Sequence, residues 1–479
     1  MRGMPFRRFA LLALLAATAL LDGCTLSRVQ IRRADAMVAA TMPSVASCAR
    51  ADHCARPSPL LDAARQALAA STPSRPRHVV ALLDDSEPAL VARLDLIRAA
   101  QRTIDVQTYI WDQDDVGQLV LDELVKAARR GVQVRVVVDG FGSKATLAAL
   151  REWMVPAGVE LAVFRPIDRW WSYLQPGQAR RLHQKLCVVD GQVGFVGGIN
   201  LIADRNDLHH GWSDAPRLDF ACRLRGAAVA GIEQAVQAIW TRAMLGRVWR
   251  DELAGLVRSA APVARVKRLA TRLRIVRPHR ANPSATQPPV SLAFVVRDNL
   301  RQRRSIERVY MEAIQHARHR IDLVTPYFYP DRHFRHALAK AAERGVKVRL
   351  LLQGKIDYRI AGVAARVLYD ELLAKGVQIF EYTPAYLHAK MAVVDDEWAT
   401  LGSSNIDPLS LLLNLEANVV VCDGPFARRA AAELEIAMAA SAAVMAPPYA
   451  KGWLAVLRRT FVAMVAHWFL RMAGINGRY

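Results

Sequence analysis

The chain has 479 residues, enough for two or three domains of ordinary size, and 52% of them are hydrophobic. With 65 lysines and arginines against 44 aspartates and glutamates, it carries a formal charge of +21 at pH 7. The apolar content suits a globular protein with no long disordered tract, six cysteines are too few for a disulfide scaffold, and the charge points to a polyanion: nucleic acid, or the anionic face of a membrane.

The chain opens MRGMPFRRFALLALLAATALLDGC, with Arg2, Arg7 and Arg8 ahead of an apolar run of signal-peptide length. The run is too short and too abruptly ended for a spanning helix. Leu21-Asp22-Gly23-Cys24 is similar to a bacterial lipobox, although Asp22 is an unusual member. The expectation is a lipoprotein-type signal peptide over 1–23 with the lipid on Cys24; an uncleaved anchor or an ordinary export signal are the alternatives. Residues 24–77 read as a tether, in which Cys48 and Cys54 can bridge if the chain is exported.

Residues 96–140, LIRAAQRTIDVQTYIWDQDDVGQLVLDELVKAARRGVQVRVVVDG, share their pattern with 309–354, VYMEAIQHARHRIDLVTPYFYPDRHFRHALAKAAERGVKVRLLLQG. Each predicts a helix, an alternating strand, a second helix ending in Arg-Gly, and a basic-apolar strand. The expected fold class is α/β: two tandem domains, 78–250 and 291–447, each a mixed sheet flanked by helices. Between them, 251–290 turns from basic to Pro-, Ser- and Thr-rich and reads as a linker. Cys187, Cys222 and Cys422 lie in apolar strand-like runs and are expected to be small core residues. No Cys/His spacing fits a zinc site, so no metal is expected. His209 and His210 have no counterpart in the other copy and read as loop residues, while Trp170, Trp171 and Tyr173 fit either core or a lipid-facing rim. In the tail, 448–479, Trp453, Leu457, Phe461, Met464, Trp468 and Met472 recur at helical spacing among Arg458, Arg459 and Arg471. Such a helix suits a membrane interface, the alternative being a helix packed on its domain.

The sharpest repeat is LHQKLCVVDGQVGFVGGIN (182–200), which returns as LHAKMAVVDDEWATLGSSN (387–405). The apolar body is rewritten while His, Lys, Asp, Gly and Asn persist. Core packing tolerates such rewriting but does not require His and Lys twice. On a strand, His183 and Lys185 face one side, as do His388 and Lys390. A hairpin at Asp190 or Asp395 brings Asn200, or Ser403 and Asn405, back beside them. Two clusters face to face would supply two imidazoles, two ammonium groups and two amides. That set suits a phosphodiester: cations and amides hold the non-bridging oxygens, one His attacks phosphorus, and the other protonates the leaving oxygen.

These residues resemble the phospholipase D superfamily, whose signature is HxKxxxxD followed by G-(G/S)-x-N, usually twice per active unit. The resemblance covers roughly 78–447 and is strongest to bacterial cardiolipin synthases of the B type, through GSSNIDPLSLLLNLEANVVV (402–421) among other segments. It implies two phospholipase D-like domains with one shared site at their interface. It also implies His183 as nucleophile, His388 as acid/base, Lys185, Lys390, Asn200, Ser403 and Asn405 around the phosphate, and no cofactor. In this family a carboxylate after each motif holds its own histidine, which assigns Glu416 to His388 and Asp219 to His183. Asp190 and Asp395 are signature positions with a structural look. The departures are Gly198 where the second copy has Ser403, Asp219 where it has Glu416, and Leu409 where the wider superfamily often has Arg. The implied activity is phosphatidyl transfer from a donor phospholipid to phosphatidylglycerol on an anionic phospholipid membrane. The alternatives are a hydrolase, a nuclease (disfavoured by the lipid signal) and an inactive membrane-binding protein.

Overall fold

The computed structural model describes residues 79–445 apart from 84–85, 168–179, 209, 227, 258–289, 299–301 and 358, together with Phe461. The signal sequence, Cys24, the tether with Cys48 and Cys54, Trp170, Trp171, Tyr173, His209, most of the linker and all of the tail but Phe461 lie outside the described residues.

The first half runs β1 (Val79–Leu83), α1 (Ser86–Ala99), β2 (Thr103–Thr108), α2 (Asp115–Arg129), β3 (Gln133–Asp139), α3 (Leu147–Met154), β4 (Glu160–Phe164), β5 (Lys185–Val189) and β6 (Val193–Gly197). A two-stranded ribbon, β7 (Asn206–Asp207) and β8 (Gly211–Trp212), precedes β9 (Ala221–Arg225) and the long helix α4 (Ala228–Val257), which enters the stretch read as linker. The second half has β10 (Ser291–Arg297), α5 (Ser305–His316), β11 (Arg320–Val324), α6 (Arg332–Glu343), β12 (Lys347–Lys355), α7 (Arg359–Val367) and α8 (Tyr369–Leu373). It closes with β13 (Gln378–Tyr386), β14 (Met391–Val394), β15 (Trp398–Gly402), a π-helical turn (Leu409–Leu413), β16 (Glu416–Cys422), α9 (Gly424–Ala439) and β17 (Ala442–Ala443).

The sheet orders are β1-β9-β6-β5-β2-β3-β4 and β10-β16-β15-β14-β11-β12-β13-β17, so the second repeats the first strand for strand and adds an edge. In each, three strands joined through helices are parallel (β2, β3, β4; β11, β12, β13) and the hairpin strands are antiparallel, the mixed sheet that the pattern predicts. The local signals work alike in both copies. Asp114 caps α2 by accepting from Gly117 N at 3.0 Å, and Asp331 caps α6 by accepting from Phe334 N at 2.8 Å. Both helices stop at Arg-Gly because Gly131 and Gly345 take φ of +90° and +89°, where a side chain is strained.

Three clusters of the core organise the site. The two outer ones pack helices on each sheet, α1 and α2 through Leu94, Leu121 and Leu124, and α5 and α6 through Ile306, Tyr310 and Phe334. A third is common to both copies: Leu186, Val196 and Cys222 meet Leu401, Val419 and Val421, with Ile232 of α4 and Leu434 of α9. Burial of this shared apolar surface clamps the motif-bearing strands of the two halves together. Cys187 and Cys222 are buried, and Cys422 is half-buried, the core role expected of them. Among the described residues no helix is long and apolar enough to cross a membrane.

Candidate active site

The two motifs meet at the ends of β5 and β14. His183 lies in the extended lead-in to β5, where its backbone N donates to Leu415 O of the second half at 3.0 Å. His388 enters β14 in the same way, its N donating to Leu218 O of the first half at 2.9 Å. Two short parallel bridges, Leu182 with Leu415 and Leu218 with Leu387, thus stitch each histidine segment to the opposite copy.

This stitching crosses the carboxylates over. Glu416 Oε2 lies 3.0 Å from His183 Nδ1, and Asp219 Oδ2 lies 2.6 Å from His388 Nδ1. The expectation that each carboxylate serves its own copy's histidine is therefore corrected: each serves the other's. The reason is geometric, because Leu415 and Leu218, the residues before or near the carboxylates, pair across the interface rather than within a copy. With Nδ1 hydrogen-bonded to a carboxylate, each ring presents Nε2 to the site.

The departures from strict repetition are also linked. Ser403 Oγ donates to Glu416 Oε2 at 2.5 Å and accepts from Ala417 N at 3.0 Å. In the first copy a Cβ on Gly198 would stand 2.1 Å from Asp219 Oδ1. The shorter carboxylate fills the place that a side chain at 198 would take, so Gly198 and Asp219 form one unit, as do Ser403 and Glu416.

Lys185 and Lys390 are buried, and each donates through Nζ to the carbonyl of its own histidine, Lys185 to His183 O at 2.8 Å and Lys390 to His388 O. Burial lowers Lys185 to about 7 and Lys390 to about 8, helped by Lys390 in the first case and by Arg217 in the second. Asn200 Oδ1 accepts from Ile110 N at 3.2 Å, and the buried Asn405 Oδ1 finds no partner among the described residues. Burial also lowers His183, against the pull of Glu416, and lowers His388 well below the usual imidazole range, helped by Lys390 and Arg217. Asp219 is pushed up to about 6 by burial, so both members of the Asp219–His388 pair lean towards their neutral forms. Burial pushes Glu416 up, yet His183, Lys185 and the Ser403 hydroxyl outweigh it and hold the carboxyl below its ordinary value.

The signature aspartates stay out of this cluster. Asp190 and Asp395 sit at φ of +53° and +51° in the hairpin turns. Asp190 accepts from the backbone N of Gln101, Arg102 and Thr103, and Asp395 from that of Arg318, His319 and Arg320, at 2.7–3.0 Å. They pin the hairpin to the preceding helix–strand corner, the structural role that their position indicates.

Residues that the motif does not reveal complete the site. Tyr109 packs its ring at 5.0 Å from that of His183, with Lys185 Nζ 5.3 Å from its centroid. Its place in the second copy is taken by Pro326, so no repetition signals it. On the His388 side Tyr327 Oη donates to Asp357 at 2.6 Å. His210 is in a turn, as expected, but it bonds Asp207 at 2.9 Å and packs in a tilted arrangement on Tyr386 with centroids 5.6 Å apart. Leu409 starts the π-helical turn and is exposed.

Comparisons with known proteins agree with this architecture. Residues 94–210 and 310–437 match the family described as "Cardiolipin synthase, PLD-like domain". The chain is 35% identical over 353 residues to cardiolipin synthase B of Escherichia coli (strain K12), covering 74% of this chain and 78% of that one. It is 31% identical over 374 residues to cardiolipin synthase A of Pseudomonas aeruginosa (strain LESB58), covering 77% and 69%. The fold is similar to that of phosphatidylserine synthase from Haemophilus influenzae, with a TM-score of 0.56 at 15% identity, covering 92% of this chain and 99% of that one. The doubled motif, the repeated sheets and these likenesses have one reading: the chain belongs to the cardiolipin synthase family of phospholipase D-like enzymes.

Proposed function

We propose that the chain makes cardiolipin by transferring a phosphatidyl group from a donor phospholipid to phosphatidylglycerol. The observation that carries the reading is the crossed pair of histidine–carboxylate contacts, which makes both histidines members of one site. In the first step His183 Nε2 attacks phosphorus, the bond to the head-group oxygen breaks, and His388 gives that oxygen a proton. Phosphorylation at Nε2 leaves a positive ring, and ionised Glu416 at Nδ1 stabilises it, which favours His183 as the nucleophile. In the second step His388 takes the proton of a primary hydroxyl of phosphatidylglycerol, whose oxygen attacks phosphorus and frees His183. A depressed pKa makes protonated His388 a strong acid, and the negative charge of the bound phosphodiester favours its protonation. Lys185, Lys390, Asn200 and Asn405 hold the non-bridging oxygens. Working on a membrane follows from these substrates. Anchoring through Cys24 and docking of the basic tail on anionic lipid are part of the same proposal.

The test is lipid analysis of a cell lacking cardiolipin before and after expression, paired with purified protein on phosphatidylglycerol vesicles. A synthase produces cardiolipin with one free glycerol for each molecule made. Phosphatidic acid alone, across a range of lipid concentrations, would replace this reading with a hydrolase in which water resolves the same intermediate.

A further inference from the structure

Beside the His183 half of the site, Arg165, Arg180, Arg181, Arg242, Arg297 and Arg303 crowd together: burial lowers the pKa of Arg165, Arg242, Arg297 and Arg303, and the neighbouring Arg180 lowers each of the four further. Among the described residues the carboxylates acting on them are Asp139, Asp298 and Glu416. Glu416 is engaged by His183 and Ser403. Asp139 takes Arg181 Nη1 at 3.3 Å and Leu182 N at 2.8 Å. Arg297 donates to the carbonyls of Leu411, Leu412 and Asn414, and so closes the π-helical turn.

Arg303 lies beside Asp298, and Arg165, Arg180 and Arg242 are half-buried and in no ion pair among the described residues. Arg165 and Arg242 lie 5.4 and 5.8 Å from the centroid of one ring, Phe164. Arg165 holds a φ of +46°, unfavourable for a side-chain-bearing residue, and its Nη1 donates to Arg180 O at 3.3 Å. Arg180 Nε is buried and has no hydrogen-bond partner. Guanidinium groups gathered out of water need an anion, and among the described residues Asp139 and Asp298 act on Arg165 and Arg242 without forming an ion pair with them. Arg180 lies three positions before His183, a reach of at most about 11 Å along the chain.

Cardiolipin synthesis has a matching demand. The acceptor's own phosphodiester is joined by one glycerol to the hydroxyl that attacks, so a second anion must lie next to the reacting phosphate. We propose that Arg165, Arg180 and Arg242 bind the phosphodiester of the acceptor phospholipid while the histidine–lysine pocket holds the phosphate under attack. This inference rests on the transferase reading. The planar guanidinium fork suits the two non-bridging oxygens of a diester.

The experiment is a partition. The purified full chain is given short-chain phosphatidylglycerol with ethanol as a competing acceptor that carries no phosphate. Cardiolipin and phosphatidylethanol then arise from the same intermediate, and their ratio reports the acceptor step alone. Arg180→Gln and Arg242→Gln should lower that ratio at least tenfold while phosphatidylethanol formation stays within twofold, and Arg242→Lys should retain an intermediate ratio. Glycerophosphoglycerol, a soluble diester without acyl chains, should lower the ratio in the wild type and not in Arg180→Gln. An unchanged ratio, or both products falling together in the Gln and Lys variants alike, would overturn the inference and leave the transferase reading standing. Competition by inorganic phosphate with none by the diester would assign the cluster to free phosphate and also overturn it. A wild type that makes phosphatidylethanol but no cardiolipin would refute the transferase reading itself.

Discussion

Replacing Gly198 by Ser, the residue of the second copy, should disable the site rather than complete it. The new Cβ would meet Asp219 Oδ1 at 2.1 Å, roughly 1 Å inside ordinary contact, so the carboxylate must retreat by about that much. Its bond to His388 Nδ1 is 2.6 Å long, and a retreat of roughly 1 Å takes it beyond hydrogen-bond range. Losing a buried hydrogen bond to a charged partner costs about 1.5–3 kcal/mol, or roughly ten- to a hundredfold in rate if it is lost in the transition state. The longer side chain of Asp219→Glu, added to Gly198→Ser, recreates the Ser403–Glu416 pair and should recover part of that loss. The assay is the initial rate of cardiolipin formation for the wild type, the single variants and the double variant, with circular dichroism to verify folding. Wild-type activity in Gly198→Ser, or a double variant no better than the worse single one, would refute the coupling.

Three other outcomes follow from the geometry. Asp190→Ala and Asp395→Ala each remove the acceptor of three backbone N–H groups. Each should cost about 2 kcal/mol of stability, less than three fully buried bonds because the turns are partly wet, and should leave KM unchanged; thermal unfolding paired with kinetics checks this. The rate of lipid turnover should be bell-shaped in pH. It should fall below about 6 as Asp219 gains a proton and above about 7 to 8 as Lys185 and Lys390 lose theirs, so kcat/KM still rising at pH 9 would contradict the buried-lysine assignment. The buried pairs Arg135–Asp105 and Arg349–Asp322, at 2.8 and 2.6 Å, occupy the same place in both copies. Arg135→Met alone should destabilise by about 3–5 kcal/mol, and adding Asp105→Leu should recover most of it, as measured by denaturant unfolding.

Much of this was legible because it is local. The helix caps at Asp114 and Asp331, the Arg-Gly stops, the strand spacing of His and Lys and the aspartate turns all follow from residues within a few positions of one another. The crossing of Glu416 and Asp219 was not legible, since it depends on contacts spanning 233 and 169 residues and on which copy each strand end meets. Periodicity does not distinguish a carboxylate that serves its own copy from one that serves the other. Tyr109 lacked a repeated partner to mark it. The arginines come from the end of β4, the run before His183, α4 and the start of the second half, so no stretch of sequence displays them as a group.

The crossing also explains why duplication suits this chemistry. Each lysine is held by its own half, through the carbonyl of the histidine two residues before it, whereas each imidazole is oriented by the other half. Neither half alone holds an oriented histidine, so the proposed mechanism requires the shared core between the sheets. A strictly repeated site would nevertheless have two equivalent imidazoles, and the reaction needs one nucleophile and one proton carrier. The exchange of Ser403–Glu416 for Gly198–Asp219 removes that equivalence. The second pair lacks the hydroxyl that helps to keep Glu416 ionised, and Asp219 rises to about 6 while Glu416 stays below its ordinary value. Environments that push paired groups apart separate their roles. In the proposed mechanism the first copy's departures from its repeat therefore separate the two roles, and the glycine at 198 is where the two halves cease to be interchangeable.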